Sequence, residues 1–345
     1  MFVTILIGKT SRNIKREKWG KMKRLKGVLI LFLAGSILGA AGCSENNLQQ
    51  KEAKASETAH IKAVKKKVEK PVWVRIIDPE TKKEIKSIIP KDYGFGTDDD
   101  KYKAAIAEWA REMARGTNET PGYDKRMILD KLKADGQVIK GSPQTILEEQ
   151  ELIEKVLQAS VKGGDVEVPL YVSDSGYSRD EASQLNEVVV ASFTTYFNNG
   201  VTGRTTNIAL SAQAINNTII GKDDPFSFNT TVGPSDANHG YQKAPEALNG
   251  KLVEGIGGGI CQTSSTLYNA IDQLAVSYIE KHHHSLHVGY VPKGRDATVS
   301  YGGKDFRFKN TTGVPLLLKA YMGNGSLTVE VRTSRAYQTL IKKAL

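Results

Sequence analysis

The chain has 345 residues, 39% of them hydrophobic, with 48 Lys+Arg against 38 Asp+Glu and two cysteines. That length carries one large or two ordinary domains with a real core, and two cysteines exclude a disulfide-stapled scaffold. The net charge of +10 would suit a nucleic-acid binder, but nine basic residues and one acidic residue fall within residues 1–42; the remainder is near neutral, so no nucleic-acid partner is expected.

Lys21, Lys23, Arg24 and Lys26 precede the apolar run Val28 to Ala41. Fourteen residues fall short of the roughly 20 that span a bilayer and match the core of a signal peptide. The run ends Leu38-Gly39-Ala40-Ala41-Gly42-Cys43, which resembles a bacterial lipobox with Ala40 where such boxes prefer Leu. Residues 1–43 therefore read as a lipoprotein signal with Cys43 as the lipidation site, its leader starting at Met1 or Met22. A plain secretory signal or an uncleaved anchor is the alternative. Lipidation implies an extracytoplasmic body held on the outer face of the bacterial cytoplasmic membrane by its acyl chains. Residues 44–70 are polar and charged, without aromatic side chains, and read as a flexible tether.

Residues 71–172 read as a mixed helical domain. Val72 to Ile77 has strand character, and Lys82 to Pro90 can pair back with it. Tyr102 to Ala114 is a helix stopped by Gly116, Asp124 to Lys133 a second, and a third starts at Ser142-Pro143 and ends at Gly163-Gly164. Val166 to Val172 is then a strand. No ionisable cluster suggests chemistry here, so this region is expected to bind or to act as a spacer.

The second half carries the candidate chemistry. Asp180 to Asn198 and Thr206 to Ile219 read as helices, and Pro225 to Asn229 as extended. Gly255-Ile256-Gly257-Gly258-Gly259 then leads into Ile260-Cys261-Gln262 and a helix with Leu267, Ala270, Ile271 and Leu274 on one face. Cys261 stands in the first turn, where the positive end of the helix favours a thiolate and where backbone N–H groups near Gly259 and Gln262 can receive an oxyanion. The competing reading is a buried structural cysteine. Lys281 to Val291 and Arg295 to Gly302 read as two strands, with alternation placing His284 opposite His283 and Asp296 heading the second. A cysteine on a helix start, then His284 as general base, then Asp296 as its orienter is the chain order of papain-like and transglutaminase-like thiol enzymes. Solvated strand histidines are the plainer alternative. No Cys-x-x-Cys or His-Glu-x-x-His spacing supports a metal, and neither metal nor other cofactor is expected. Tyr241, Arg295 and Tyr301 are candidates for contacting substrate. Residues 314–321 and 326–331, around Met322-Gly323-Asn324-Gly325, form a hairpin.

Between residues 186 and 320 the motifs Asp224-Pro225-Phe226-Ser227-Phe228-Asn229, Val232-Gly233-Pro234, Asn249-Gly250-Lys251-Leu252-Val253, the Gly255–Ala270 block, His284-Ser285, Tyr290 to Val299, Asp305-Phe306 and Phe308-Lys309-Asn310 stand in one order. Together they resemble the VanW-like family of bacterial envelope proteins, named for an accessory protein of vancomycin-resistance clusters. The resemblance implies a VanW-type domain at 180–335, and residues 71–172 resemble the peptidoglycan-binding region often placed ahead of it. His284 occupies the family's His-Ser position, whereas the family commonly has Pro at His287. Asp305 and Asn310 are also family-like and stand as alternative orienting groups. The expected architecture is α+β: a mixed N-terminal domain, then a thiol-enzyme-like α+β domain ending in β hairpins. The expected function is that of a membrane-anchored lipoprotein acting on peptidoglycan peptides by Cys–His–Asp acyl transfer or hydrolysis. The alternative is a non-catalytic peptidoglycan-binding envelope protein.

Overall fold

The computed structural model describes residues 70–248 and 250–344. The signal-like run, Cys43 and the tether through residue 69 lie outside the described residues. The fold is α+β, with separate sheets flanked by helices and no closed barrel among the described residues. Among the described residues no helix is long and apolar enough to cross a membrane.

In the first region, β1 (Val74–Ile77) pairs antiparallel with β2 (Glu84–Ile88), as expected. Helix α1 (Asp99–Arg115) follows, capped by Asp98 accepting from the Lys101 N–H and closed at Gly116. The helix expected at 124–133 is absent. Met127 and Leu129 are buried with Ile128 exposed between them, a period of two, and the segment runs extended into β3 (Lys131–Leu132), which pairs with β4 (Val138–Ile139). Asp130 fixes it by accepting from Gly141 N–H and Lys140. Nor does Ser142 cap a helix: β5 (Gln144–Leu147) comes first, and α2 (Glu149–Lys162) starts only after Glu148, where Glu149 and Glu151 suit the positive helix end. The stretch expected as one strand at 166–172 divides at Pro169 into β6 (Gly164–Glu167), parallel to β1, and β7 (Leu170–Ser173), antiparallel to β5. Helices α1 and α2 bury Tyr102, Ile106, Leu152 and Val156 against Val74, Ile76 and Val166.

In the second region, the helix expected at 180–198 is a 3-10 turn (Arg179–Asn186) followed by strand β8 (Val188–Tyr196). The valine run and Thr194-Thr195 favour a strand, and β8 gains β16 as a partner. Next come α3 (Thr202–Ile215), β9 (Ile219–Ile220), β10 (Pro225–Ser227), α4 (Phe228–Val232), the hairpin β11 (Lys243–Leu248) with β12 (Lys251–Ile256), and α5 (Ile260–Ile271). Strands β13 (Ser277–Glu280), β14 (Arg307–Lys309), β15 (Leu316–Gly323) and β16 (Ser326–Thr333) complete the order. One sheet runs β8-β16-β15-β9 and another β10-β14-β13; the β15–β16 hairpin turns at 324–325 as expected. Phe226, Phe306 and Phe308 pack with Leu267, Ile271 and Leu316 in the core.

Residues 281–306 carry no strand, against the two expected there. Side chains of α5 hold this segment in place of a ladder. Ser264 Oγ donates to the Ala297 carbonyl (2.5 Å), Ser265 Oγ accepts from Ala297 N–H (2.9 Å), and Asn269 Nδ2 donates to the Arg295 carbonyl (2.7 Å). Thr298 N–H donates in turn to the His282 carbonyl.

Candidate functional site

Helix α5 is buried along almost its whole circumference although Gln262 to Thr266 are all polar. Such a helix is stable only if each polar side chain is bonded, and these are. Gln262 Nε2 donates to Thr195 Oγ1 and the Tyr196 carbonyl, Thr263 pairs with Ser211, and Thr266 with Thr195. The turn before α5 requires glycine at two places. A Cβ on Gly258 would lie 2.4 Å from the Ala244 carbonyl oxygen, and Gly259 sits at φ 116° with the stem of Arg204 pressed against it.

Cys261 faces a groove of about 1050 Å³, the upper end of the range for small-ligand sites. Gly257, Gly258 and Gly259 of the turn line it, and the β11–β12 hairpin supplies Glu246 and Leu252. Residues His284 to Tyr290 and Thr298 to Tyr301 also line it. Cys261 is half-buried, and its Sγ donates to the Val299 carbonyl at 3.4 Å. Against the expected pull of the helix end towards a thiolate, burial pushes the thiol up; the Val299 contact and Arg204 act the other way, and Glu246 and Asp296 add to the rise.

His284 and Asp296 are brought together as expected, by a different route. The His284 backbone N–H and its ring Nδ1 both lie 2.7 Å from Asp296 Oδ2, and His283 Nδ1 lies 3.0 Å from Oδ1. The two histidines therefore share one carboxylate, contrary to the alternation expected of a strand. Burial works against the Asp296 charge, but the three donors outweigh it and hold the carboxyl at about 2. The His284 side chain is only 5% exposed. With Nδ1 engaged by Asp296, Nε2 is the ring nitrogen left for another partner. Asp305 and Asn310 do not serve as orienters. Asp305 accepts from Ser227, Asn229 N–H and Arg126, and Asn310 braces the Ile220, Gly221 and Val314 carbonyls.

Other expected positions are corrected. The Gln262 N–H is committed to the Gly259 carbonyl at 2.9 Å and cannot receive an oxyanion, whereas the N–H groups of Gly259 and Cys261 have no acceptor among the described residues. Tyr241 is 6% exposed and belongs to the core. Arg295 is turned away from the groove, donating to Asp272 (2.6 Å) and Asn269 (2.8 Å) over the Tyr268 ring. Tyr301 does line the groove and is exposed. Two lining residues had not been singled out as a pair: Tyr290, whose hydroxyl burial pushes up, and Arg204, whose guanidinium stands over the Tyr290 ring at 5.8 Å. Among the described residues no cluster of His, Cys, Asp and Glu could hold a metal ion.

The family model described as "VanW like protein" matches residues 203–332, which contain Arg204, Cys261, His284 and Asp296. The chain is 36% identical over 214 residues to the uncharacterized protein YoaR of Bacillus subtilis, a match covering 61% of this chain and 71% of that protein. It is 28% identical over 143 residues to the vancomycin B-type resistance protein VanW of Enterococcus faecalis, covering 40% of this chain and 52% of that protein. No solved structure matches significantly. The lining of the groove, from Arg204 to Lys304, lies inside the segment that the family model matches, and the chain belongs to the VanW-like family.

Proposed function

We propose that the protein works at the bacterial cell wall, binding a peptide in the groove and transferring or hydrolysing an acyl group through Cys261, His284 and Asp296. The observation that carries this reading is the 2.7 Å contact between Asp296 and the Nδ1 of His284, a residue that lines the same groove as Cys261. Attack requires the Cys261 proton to leave the Val299 carbonyl for His284 Nε2 as sulfur bonds to the substrate carbonyl carbon. The carbonyl oxygen takes the negative charge, facing the Gly259 and Cys261 N–H groups. Collapse breaks the carbon–nitrogen bond, the departing amine takes the proton from His284, and a thioester remains. Water, deprotonated by the same imidazole, or an acceptor amine then releases the acyl group and restores the thiol. The raised thiol suits transfer of the proton concerted with attack, without a standing thiolate.

Peptidoglycan peptides are the substrate class in this reading, supported by family membership and by the name of the enterococcal relative. Lipidation at Cys43, anchoring to the outer face of the cytoplasmic membrane and wall binding by residues 71–172 complete it. A second reading, recognition without chemistry, is favoured by the upward push on the thiol and its bond to Val299. Muropeptide turnover by purified protein separates them. Acyl transfer predicts release that Cys261→Ala abolishes; unchanged turnover by that variant would reject the mechanism, and binding without turnover in the wild type would establish the second reading.

A further inference from the structure

Arg204 stands out by its lack of a counter-ion. Arg295, Arg307 and Arg332, half-buried like Arg204, each hold a carboxylate: Asp272, Glu280 and Glu330 respectively. Arg204 has none among the described residues. Its Nη2 donates at 2.6 Å to the neutral Oε1 of Gln262, leaving donors on Nε and Nη1 unused. Its position also runs against local preference: it is the third residue of α3 and the single charged side chain in that helix, placed where the positive helix end repels a cation. A partly desolvated guanidinium held in that way is unfavourable until an anion arrives.

We propose that Arg204 is the carboxylate-recognising residue of the groove, and that its ligand is a peptide presenting a free terminal carboxylate. This rests on the reading of the groove as a peptide site and adds to it the chemical group that site selects. Arg204 and Cys261 line the same groove, so the gripped end of the ligand shares the space that the thiol faces. The fork of N–H donors matches a carboxylate in two parallel bonds. A phosphate dianion fits less well, because Glu246 and Asp236 share the lining. Leu252, Ile256 and Tyr290 supply apolar walls for the residue that bears the carboxylate. The Glu246 carboxyl, pushed up by burial, does not pair with Arg204.

The test uses a fluorescein-labelled peptidoglycan stem pentapeptide as its terminal free acid and as its terminal carboxamide, titrated against the wild-type protein and Cys261→Ala by fluorescence polarisation. The acid is expected to bind about tenfold or more tighter than the amide, the usual loss for one charge-assisted bond. Arg204→Gln removes the preference, and Arg204→Lys, which keeps the charge, retains part of it. Equal affinities for acid and amide in the wild type, no binding of either peptide, or a preference that survives in Arg204→Gln would overturn the proposal. The wild-type contrast needs no variant to fold. A preference for the acid without any turnover would leave the carboxylate site standing while rejecting acyl transfer.

Discussion

Helices α1 and α2 of the first region and α5 of the second put their polar residues to opposite uses. On α1 and α2 the charged side chains lie outside the buried set, the one buried polar pair being Ser160 with the Tyr102 hydroxyl, and the ion pairs nearby, such as Arg75–Asp165 and Lys82–Glu167, join exposed partners. On α5 the polar side chains are buried and bonded, and they tether the irregular segment that carries Asp296. The first arrangement makes a stable layer from periodicity alone. The second costs desolvation at every position, and what it secures is the placing of the segment that carries Asp296, the carboxylate shared by His283 and His284. Disturbing the α5 network should therefore damage both stability and chemistry, whereas disturbing the α1–α2 surface should affect neither strongly.

The largest expected effect is on turnover: His284→Ala should lower the rate of muropeptide cleavage by about 10²–10⁴-fold, the usual worth of a general base, with little change in peptide affinity. Next, Gln262→Ala removes the Gln262 partner of Arg204 and the Tyr196 carbonyl and leaves Thr195 with Thr266 alone, and should cost about 3 kcal/mol of unfolding free energy in urea melts, from polar groups left unpaired and the cavity left behind. A smaller effect belongs to pH. The Asp296 carboxyl falls from 3.8 to about 2 on folding, so its contribution of about 2 kcal/mol is present above pH 4 and is lost as pH falls towards 2. Asp296→Asn should flatten that part of the stability–pH curve. Smallest, Arg75→Ala removes an exposed pair and should change stability by about 0.5 kcal/mol or less. A loss there as large as that for Gln262→Ala would erase the distinction between the two regions.

How much the sequence disclosed follows the same division. Helix α1 with its Gly116 stop, the glycine turn before α5 and the β15–β16 hairpin were legible, because each is written in local periodicity or turn residues. The two strands expected at 281–302 were not, since Ser264, Ser265 and Asn269 hold that segment by bonds that leave no period in it. Order and motif anticipated that His284 and Asp296 meet, while the contact of His283 with the same carboxylate needed the fold. Tyr241 and Arg295 misled because residue type does not reveal which way a side chain turns; one enters the core and the other pairs with Asp272. Arg204 was missed for want of a motif, although a lone cation in the first turn of an otherwise uncharged helix breaks a local rule, and such breaks gather at functional sites.

The most direct measurement is intact-protein mass spectrometry after brief incubation with a stem peptide. Acyl transfer through the thiol predicts an added acyl mass on the wild-type chain that maps to Cys261, disappears with hydroxylamine and is absent from Cys261→Ala. Peptide cleavage with no such adduct at any time point, or an adduct that persists in Cys261→Ala, would contradict it.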